Sequence, residues 1–404
     1  MHRKNSINVT QDEPSERFSA RIGFLFLLTS IFFINFMARI VLSPLLPDVE
    51  ADLDIRHSQA GSLFLIISSG YFVSLLGSSF FSARFSHRQT VLVSGSAVGL
   101  ALIGISINLG FDGTRIALFF IGLGAGLYLP SAIVMITSTF HSRHWGKAIA
   151  IHELAPNIGF VAAPFISEAV MRYFSWRGVF FILGLTSLMQ VGLFLKFGRG
   201  GDFSGNLPSF SSLKTILSNP SFWLMVLLFG LGISGTMGLF AMLPVFLVSS
   251  HGFERSAANL LVSMSRIAGA VVVFWGGWLT DRLGPKRVMV MVFILSGATT
   301  MLIGLAPWHY MVLLIFLQPV IAVCFFPAGF AVLSQNSPPD LRNVVISVTI
   351  PIAILTGGGI IPTLIGTLGE VASFEIAFGV VGLFIASGGF FSTCISKSDN
   401  PLTR

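Results

Sequence analysis

Long apolar segments separated by short polar ones run along the whole chain. Each apolar segment holds about 20 residues or more, which is the length that an α-helix needs to cross the hydrocarbon core of a bilayer. A closed β-barrel would instead show short segments of alternating polarity. The pattern therefore predicts an all-α membrane protein with twelve transmembrane helices, at residues 20–47, 58–82, 90–110, 115–139, 146–170, 178–198, 219–248, 256–280, 288–307, 310–333, 343–367 and 374–395.

The polar segments between the predicted helices repeat. The segment Gly277–Arg287, with the sequence GWLTDRLGPKR, has an imperfect copy at Ala83–Arg88, which aligns 198 positions earlier with Asp281–Lys286. The same offset aligns Ser58–Gly61 with Ser256–Asn259, at the start of the helix before each hairpin. A shared order of helix starts and basic turns indicates an internal repeat.

One residue of slip from that offset aligns Pro47 with Pro244, each at the predicted end of the first helix of a half. Two halves that each cross the bilayer several times are typical of secondary transporters. We predict two six-helix bundles, at residues 20–198 and 219–395, joined by a polar cytoplasmic linker at 199–218. Cytoplasmic tails are predicted at residues 1–19 and 396–404.

The hairpin at Gly277–Arg287 resembles the loop signature of the major facilitator superfamily, Gly-x-Leu-x-Asp-Arg-x-Gly-x-Lys-Arg. The first-half copy departs from it, with Ala83 in place of Asp and Ser86 in place of Gly. Ser175–Arg177 is also similar to a family motif, and Leu154–Gly159 resembles a degraded antiporter motif. The resemblance implies the superfamily fold, with secondary transport of a small molecule by alternating access.

Composition agrees with a chain surrounded by lipid. Only 10% of the residues are charged and 53% are hydrophobic, whereas soluble domains are roughly 25% charged. The polar N-terminal segment leads into an apolar run too long for a signal-peptide core, so we expect an uncleaved first helix. Cys324 and Cys394 both lie in apolar runs, which predicts neither a disulfide nor a metal site. The sequence contains no nucleotide-binding Gly-Lys-Ser/Thr motif, and we expect no cofactor.

The basic residues are distributed unevenly between the two sides of the membrane. With both termini on the cytoplasmic side, 17 Lys and Arg lie on that side, and five lie on the other side: Arg56, Arg115, Arg172, Arg177 and Arg255. An excess of basic residues in short loops marks the cytoplasmic face. The bias therefore predicts a multi-pass protein of the cell (inner) membrane with cytoplasmic termini. It also accounts for the net charge of +7 without a nucleic-acid partner.

Few ionised groups lie inside the predicted helices, where each costs about 2.5 to 3.5 kcal/mol on insertion scales. Arg39 shares a helix face with Asn35 and Ser43 at a spacing of four residues. The resemblance implies that the first helix lines the central cavity and that Arg39 faces the substrate. The alternative is that Arg39 extends toward the outer interface, with no part in binding.

Arg266 lies about ten residues into the eighth helix, roughly 15 Å deep. It resembles the arginine of the eighth helix in organic-anion and monocarboxylate carriers of the superfamily, although it lies about two turns further from Asp281 than in those carriers. The alternative is a structural contact with an acid or with backbone carbonyls. The planar guanidinium group donates two parallel hydrogen bonds to a carboxylate. We therefore predict that Arg39, Arg266 and Asn35 bind a small organic anion.

Glu153 is the one carboxylate predicted to lie well inside a helix. Unpaired, it would bind a proton near neutral pH, whereas paired with Arg39 it would stay ionised. His152 is rotated by about 100° from Glu153 along the helix, and a packing role is the alternative for it. We predict that Glu153, with His152, couples transport to protons. Sites where helices can bend are predicted at Pro130, Pro156, Pro319, Pro327, Pro351, Pro362 and the Gly357–Gly359 run.

By resemblance, Asp281, Arg282 and Arg287, with Arg84 of the first-half copy, form a cytoplasmic gate against the start of a neighbouring helix. Because Ala83 removes the first-half carboxylate, we expect the latch to act on one side only. The alternative is that these residues serve only as a positive-inside anchor.

The sequence therefore predicts a monomeric secondary carrier, a proton symporter for a small organic anion such as a carboxylate. One alternative is a proton-coupled exporter of amphipathic drugs, which the antiporter-like Leu154–Gly159 favours. A non-transporting receptor and an intramembrane enzyme are alternatives of another class. An enzyme needs clustered nucleophiles and bases or metal ligands, and His152 with Glu153 does not supply them. We predict no catalytic residue and no metal ligand.

Overall fold

The computed structural model of the chain describes residues 18–107, 109–205, 210–337 and 341–395. The tail positions 1–17 and 396–404, and part of the predicted linker, lie outside the described residues. Within the described residues the secondary structure is helical, apart from one isolated bridge between Ser86 and Ser204. Eleven helices are long and apolar enough to cross a membrane, and a twelfth, Arg255–Leu283, bends by 47°. The predicted all-α architecture of twelve membrane helices is confirmed.

The helices follow the two predicted halves. In the first half they are α1 Ile22–Leu53, α2 His57–Arg84, α3 His87–Ser106, α4 Gly110–Thr139, α5 Ser142–Met171 and α6 Trp176–Phe197. In the second half they are α7 Pro220–His251, α8 Arg255–Leu283, α9 Pro285–Leu305, α10 Trp308–Gln335, α11 Val344–Val371 and α12 Phe374–Thr393. A short linker helix, Phe210–Leu217, precedes α7.

Proline rings interrupt three of these helices. In α1, α5 and α10 the break falls at Val41, Glu153 and Cys324. Each break lies three residues before a proline: Pro44, Pro156 or Pro327. A proline in a helix lacks the N–H group and its ring clashes with the carbonyl of the residue four positions earlier. The regular helical hydrogen bonding is therefore interrupted at the next residue, which lies three positions before the proline.

Two predicted helix boundaries are wrong. The first helix does not end at Pro47, because its second segment continues from Leu42 to Leu53 with Pro47 inside it. The fifth helix is not continuous, because it consists of Trp145–His152 and Leu154–Met171 on either side of Glu153.

The second half also carries π-helical turns, at Ser234–Gly238 in α7 and Leu355–Ile360 in α11. The offset that aligns Pro47 with Pro244 also aligns the break at Val41 with Gly238. The first helix of each half thus departs from regular α-helical geometry at matching positions of the repeat. Such irregular turns leave backbone carbonyls available to side chains of neighbouring helices.

Within the first half, α2 and α4 approach each other closely. A Cβ atom added at Gly122 would overlap the carbonyl oxygen of Ile67, and one added at Gly70 would overlap that of Phe119. Glycine at these positions lets the two backbones come into contact, and small residues at helix interfaces serve this purpose in membranes.

The two halves contact each other through polar and aromatic side chains. We call the face that carries Phe18 and Ile395 the terminal face, and the opposite face, with the α1–α2 connection, the far face. Polar contacts between the halves cluster toward the far face. Arg255 of α8 forms ion pairs of 3.3 Å with Asp48 of α1 and with Glu168 of α5.

Three further contacts belong to the same region. Arg56 lies 3.4 Å from Glu370 of α11, and Asn259 donates to Glu168 at 2.6 Å. Ser263 donates to the carbonyl of Val161, one turn further into the membrane. We call Arg255, Asp48, Glu168 and Asn259 the far-face clasp. It holds α8 of the second half against α1 and α5 of the first half.

Candidate functional site

Arg39 is a buried cation with few polar neighbours. It lies two residues before the break in α1, and only 7% of its surface is exposed. Its guanidinium carbon is 4.2 Å from the centre of the Tyr71 ring and 5.0 Å from that of Phe36. The buried Nε atom has no hydrogen-bond partner. Within the described chain, aromatic faces and not acceptor atoms surround this charge.

Arg39 also lines a small cavity between the two halves. The first half contributes Arg39, Phe64, Ser68 and Tyr71 to its wall, and the second half contributes residues of α7 and α11, Phe240 among them. Its volume is about 20 Å³, which is room for a single water molecule. Because its walls come from both halves, the cavity widens when the halves separate.

Arg266 is equally buried, with 7% of its surface exposed. Its Nη2 atom donates to the carbonyl of Thr236 at 3.1 Å, inside the π-helical turn of α7. Its guanidinium carbon lies 5.1 Å from the Phe160 ring centre and 4.9 Å from that of Phe240. The Nε atom of Arg266, like that of Arg39, is buried without a partner. Arg266 thus keeps donor capacity that the described residues do not satisfy.

Aromatic rings connect the two arginines. The rings of Phe36 and Phe160 meet edge to face with their centres 5.1 Å apart, and Phe160 meets Phe240 in the same way at 5.0 Å. Because Phe36 also contacts Arg39 and Phe160 also contacts Arg266, two rings lie along this path between the guanidinium groups. Edge-to-face pairs at this distance are favourable.

Gln318 of α10 is a site residue that the sequence analysis missed. Its amide nitrogen donates to the carbonyl of Gly235 at 2.6 Å and lies 3.5 Å from the Ser296 hydroxyl. Gln318 and Arg266 thus bind adjacent carbonyls of the π-helical turn in α7. The sequence feature that could have identified Gln318 is an uncharged amide directly before Pro319 in an otherwise apolar run.

The polar stripe predicted on α1 does not form one surface. Asn35 donates to the Ser94 hydroxyl at 3.2 Å, inside the first half. Ser43 donates to the carbonyl of Phe240 in the second half at 2.7 Å. Arg39 faces Tyr71. The break at Val41 and the packing of three neighbouring helices therefore direct these side chains to different partners, and Asn35 is bound to α3.

Glu153 and His152 form a polar unit at the break of α5. The prediction that Glu153 lies well inside a helix is wrong, since it occupies the break itself and 46% of its side chain is exposed. Its Oε1 atom is 3.3 Å from Nδ1 of His152, so the expected separation of the two side chains is also wrong. In the described chain Glu153 contacts His152 and makes no pair with Arg39.

The His152 ring is fully buried and its other nitrogen has a fixed partner. The ring stacks on Phe32 at 4.5 Å, and its Nε2 atom is 3.2 Å from the Tyr128 hydroxyl. That hydroxyl donates to the carbonyl of Leu28 at 2.6 Å. Because the hydroxyl has only one hydrogen and gives it to Leu28, Nε2 must be the donor in the contact with Tyr128.

This arrangement limits how the two side chains can form a hydrogen bond. With a hydrogen on Nε2, a neutral ring would present the lone pair of Nδ1 to the Glu153 carboxylate, and the two would repel. A hydrogen bond across the 3.3 Å contact would need a hydrogen either on Nδ1 or on the carboxyl oxygen. The break of α5 thus brings an imidazole and a carboxylate into contact.

The residues of the predicted gate lie at the terminal face. Asp281 and Arg287 are exposed and make no hydrogen bond or ion pair within the described chain, and Arg84 makes none either. Arg282 lies over the ring of Trp278 at 5.2 Å. Lys286 donates to the carbonyls of Thr393 and Ile395 at 2.7 and 2.8 Å. In this conformation the latch predicted for Asp281 is not formed.

The first-half hairpin has a different partner, the start of the linker. His87 and Arg88 donate backbone hydrogen bonds to the carbonyls of Phe203 and Gly201. Arg88 also lies 3.6 Å from the Asp202 carboxylate. A linker carboxylate thus lies beside the hairpin that lost its own carboxylate at Ala83.

Within the described part of the chain, no group of three or more His, Cys, Asp or Glu side chains is placed to hold a metal ion. The site is therefore made of two buried guanidinium groups, the aromatic rings between them and a separate histidine-carboxylate pair.

Comparison with known proteins identifies relatives of the whole chain. The model of the family described as Major Facilitator Superfamily matches residues 28–277 and 235–403. The chain is 24% identical over 344 residues to "Multidrug resistance protein MdtL" of Shigella dysenteriae serotype 1, covering 83% of this chain and 86% of that protein. The protein of the same name from Escherichia coli O157:H7 is also 24% identical over 344 residues, with the same coverage of both chains.

Solved structures share the fold. A bacterial homologue of the human lysosomal transporter Spinster, in an inward-facing and occupied conformation, superimposes with a TM-score of 0.81 at 15% identity, covering 94% of this chain and 97% of that one. A POT family transporter in complex with a thioalcohol-conjugated peptide superimposes with a TM-score of 0.77 at 15% identity, covering 93% and 96%. At these identities the structures support the fold alone.

Proposed function

The chain belongs to the major facilitator superfamily, and we propose that it carries a small organic anion across the membrane by alternating access, with protons as the coupling ion. As a member of this family it is a multi-pass membrane transporter and not an enzyme. The anion, the proton and the direction of transport are the proposed parts.

The observation that carries the proposal is the unbalanced charge of Arg39. Desolvating a guanidinium without a partner costs several kcal/mol, and contacts with aromatic faces return about 0.5 to 2 kcal/mol each. The rings of Tyr71 and Phe36 therefore offset only part of the cost. A bound carboxylate would supply both the opposite charge and the missing acceptors.

Arg266 contributes the second charge, from the other half. Among the described residues it makes one hydrogen bond, to the Thr236 carbonyl, and its Nε atom has no partner there. A substrate that lowers the cost of these buried charges stabilises the conformation in which the halves close around it. That differential affinity is what a substrate needs in order to shift the conformational equilibrium.

The unit of His152 and Glu153 is the proposed proton site. It holds one proton between two groups, and Glu153 is half-exposed, so the proton can exchange with water. The net charge of the His152–Glu153 pair changes by one when the proton leaves. Coupling follows if the two conformations differ in their affinity for that proton, since linked binding equilibria are reciprocal.

We further propose that both termini are cytoplasmic, that the protein lies in the inner membrane and that it works as a monomer. The excess of Lys and Arg on the terminal face supports this orientation. The far-face clasp then closes the side away from the cytoplasm. The free Asp281 is consistent with an open terminal face.

Reconstituted protein tests the proposal directly. Proteoliposomes loaded with a mixture of unlabelled carboxylates should accumulate a labelled carboxylate by counterflow, and Arg39→Gln should abolish the accumulation. Arg172→Gln is the matched control, because Arg172 is exposed at the far face. Equal loss of counterflow in both variants, or undiminished counterflow in Arg39→Gln, would contradict the role of Arg39.

A second candidate function is drug export coupled to protons. The relatives named as multidrug resistance proteins favour it, as do the aromatic rings around the cavity. Lipophilic cations such as ethidium distinguish the two candidates. A cation exporter would move ethidium in exchange for protons and would not need Arg39 or Arg266, whereas the anion carrier loses function with either arginine.

A further inference from the structure

We infer that the transported anion is a monocarboxylate with an apolar, ring-sized body, bound by its carboxylate to Arg39 and by its body between Phe64 and Phe240. This inference rests on the proposed anion transport and narrows its substrate class. Its basis is the composition of the cavity wall and the position of the second arginine.

The wall of the cavity carries one charge and is otherwise mostly apolar. Arg39 is its only charged side chain among the described residues, with Ser68 and Tyr71 as polar neighbours. Aliphatic and aromatic side chains of both halves make up most of the remainder. A ligand that fits such a wall has one charged end and one apolar end. A second carboxylate would be buried among apolar groups without a partner, which is strongly unfavourable.

The second arginine does not line the cavity that Arg39 lines. Along the path of contacts, Arg39 is 5.0 Å from Phe36, Phe36 is 5.1 Å from Phe160, and Phe160 is 5.1 Å from Arg266. Arg266 also contacts Phe240 at 4.9 Å, and it donates to the Thr236 carbonyl. In this conformation a second carboxylate in the cavity would find no further cation in its described wall.

The two phenylalanines proposed for the apolar body come from different halves. Phe64 of α2 is 5% exposed and Phe240 of α7 is 2% exposed, and both line the cavity. In the present conformation the cavity holds about 20 Å³, too little for a ring. Separation of α2 from α7 would open a slot between the two rings, into which a flat apolar body can stack.

Phe64 is the better residue for a test than Phe240. Phe240 contacts Arg266 and Phe160 as well, so its replacement would disturb the second arginine. Phe64→Leu keeps an apolar side chain of similar size and removes only the flat ring face.

The experiment measures ligand affinity of the purified full-length protein by ligand-dependent thermal stabilisation. The probes are 3-phenylpropionate, butanoate, succinate and the cation phenethylamine. We expect 3-phenylpropionate to bind at least tenfold more tightly than butanoate or succinate. Phe64→Leu should weaken 3-phenylpropionate about 5- to 10-fold and change butanoate by less than twofold.

The outcomes separate this inference from the proposed function. Tighter binding of succinate than of 3-phenylpropionate, lost in Arg39→Gln, would overturn the inference and leave anion transport standing. An equal effect of Phe64→Leu on 3-phenylpropionate and butanoate would also overturn it. Binding of phenethylamine with no binding of any carboxylate would overturn both. The wild-type series decides between these results even if Phe64→Leu fails to fold.

Discussion

Arg39 contacts the Phe36 ring and Arg266 contacts the Phe160 ring, and the centres of these two rings are 5.1 Å apart. One arginine belongs to each half of the molecule. A movement of α1 against α5 or α8 therefore changes the surroundings of both charges at once. Ligand binding at one of these arginines is therefore linked to the position of the other.

Removing the charge of Arg39 should stabilise the empty protein. Arg39→Met loses cation–π contacts worth about 0.5 to 2 kcal/mol but also removes an uncompensated buried charge that costs several kcal/mol. We expect the melting temperature of the ligand-free variant to equal or exceed that of the wild type, while stabilisation by carboxylates disappears. A melting temperature several degrees lower would mean that Arg39 has a structural acceptor. Arg172→Met serves as the control.

Replacing Glu153 should separate proton coupling from substrate exchange. Glu153→Gln keeps the shape of the side chain but removes the group that shares a proton with His152 at 3.3 Å. Uptake driven by a pH gradient should fall to the background, whereas counterflow at equal pH should continue. Asp112→Asn, which neutralises an exposed carboxylate paired with Arg115, should leave both activities unchanged. Gradient-driven uptake that persists in Glu153→Gln would remove the residue from the coupling site.

Breaking the far-face clasp should open the far face. Arg255→Met leaves Asp48 and Glu168 without their shared cation. Exposed ion pairs stabilise a structure by about 0 to 1 kcal/mol, and breaking a buried pair costs about 3 to 5 kcal/mol. Because these side chains are partly exposed, we expect an intermediate effect of about 1.4 kcal/mol. That energy changes the ratio of the two conformations about tenfold. The reporter is Ser263→Cys in a background without Cys324 and Cys394, labelled by an impermeant maleimide. Ser263 is buried between the halves, so labelling reports opening, and unchanged labelling would contradict the clasp.

Asp281→Asn should shift the same reporter in the opposite direction. Asp281 has no partner in the present conformation, so its replacement costs nothing here and destabilises only a conformation in which the terminal face closes. The far face should then open less often, and labelling of Ser263→Cys should fall by a few-fold. Equal labelling with and without the Asp281→Asn substitution would leave the hairpin with an anchoring role alone.

Gln318→Leu should loosen the irregular turn of α7. The substitution leaves the Gly235 carbonyl buried without its 2.6 Å donor, which costs about 1 to 3 kcal/mol. We expect a lower melting temperature and weaker carboxylate binding, because Arg266 binds the next carbonyl of the same turn. Ser296→Ala is the control, since it removes only the 3.5 Å contact. Similar losses in both variants would assign the effect to general packing.

Much of this architecture can be predicted from the sequence. Apolar run lengths predict the twelve helices, because lipid admits few other backbone conformations. Arg39 and Arg266 could be identified as site candidates for the same reason, since charges inside such runs are rare. The polar hairpins at Ala83–Arg88 and Gly277–Arg287 predict the two halves through their matching positions.

The remaining features depend on contacts between distant residues. The ring of Phe36 meets Phe160 across 124 positions of sequence, and no local pattern selects that pair among 40 phenylalanines. The contact of His152 with Glu153 depends on the break that Pro156 causes, which periodicity arguments for a continuous helix leave out. Gln318 was overlooked because an uncharged amide gives a weak signal.

The missing counterion of Arg39 has an electrical consequence. When the anion is absent, the carrier reorients with a positive charge exposed to the transmembrane voltage, whereas with a monocarboxylate bound the same step is neutral at that position. A charge that crosses the full field changes the energy by about 2.3 kcal/mol per 100 mV. A voltage negative on the terminal side would therefore hold the empty carrier with Arg39 facing that side, so exchange of one anion for another would outpace net movement.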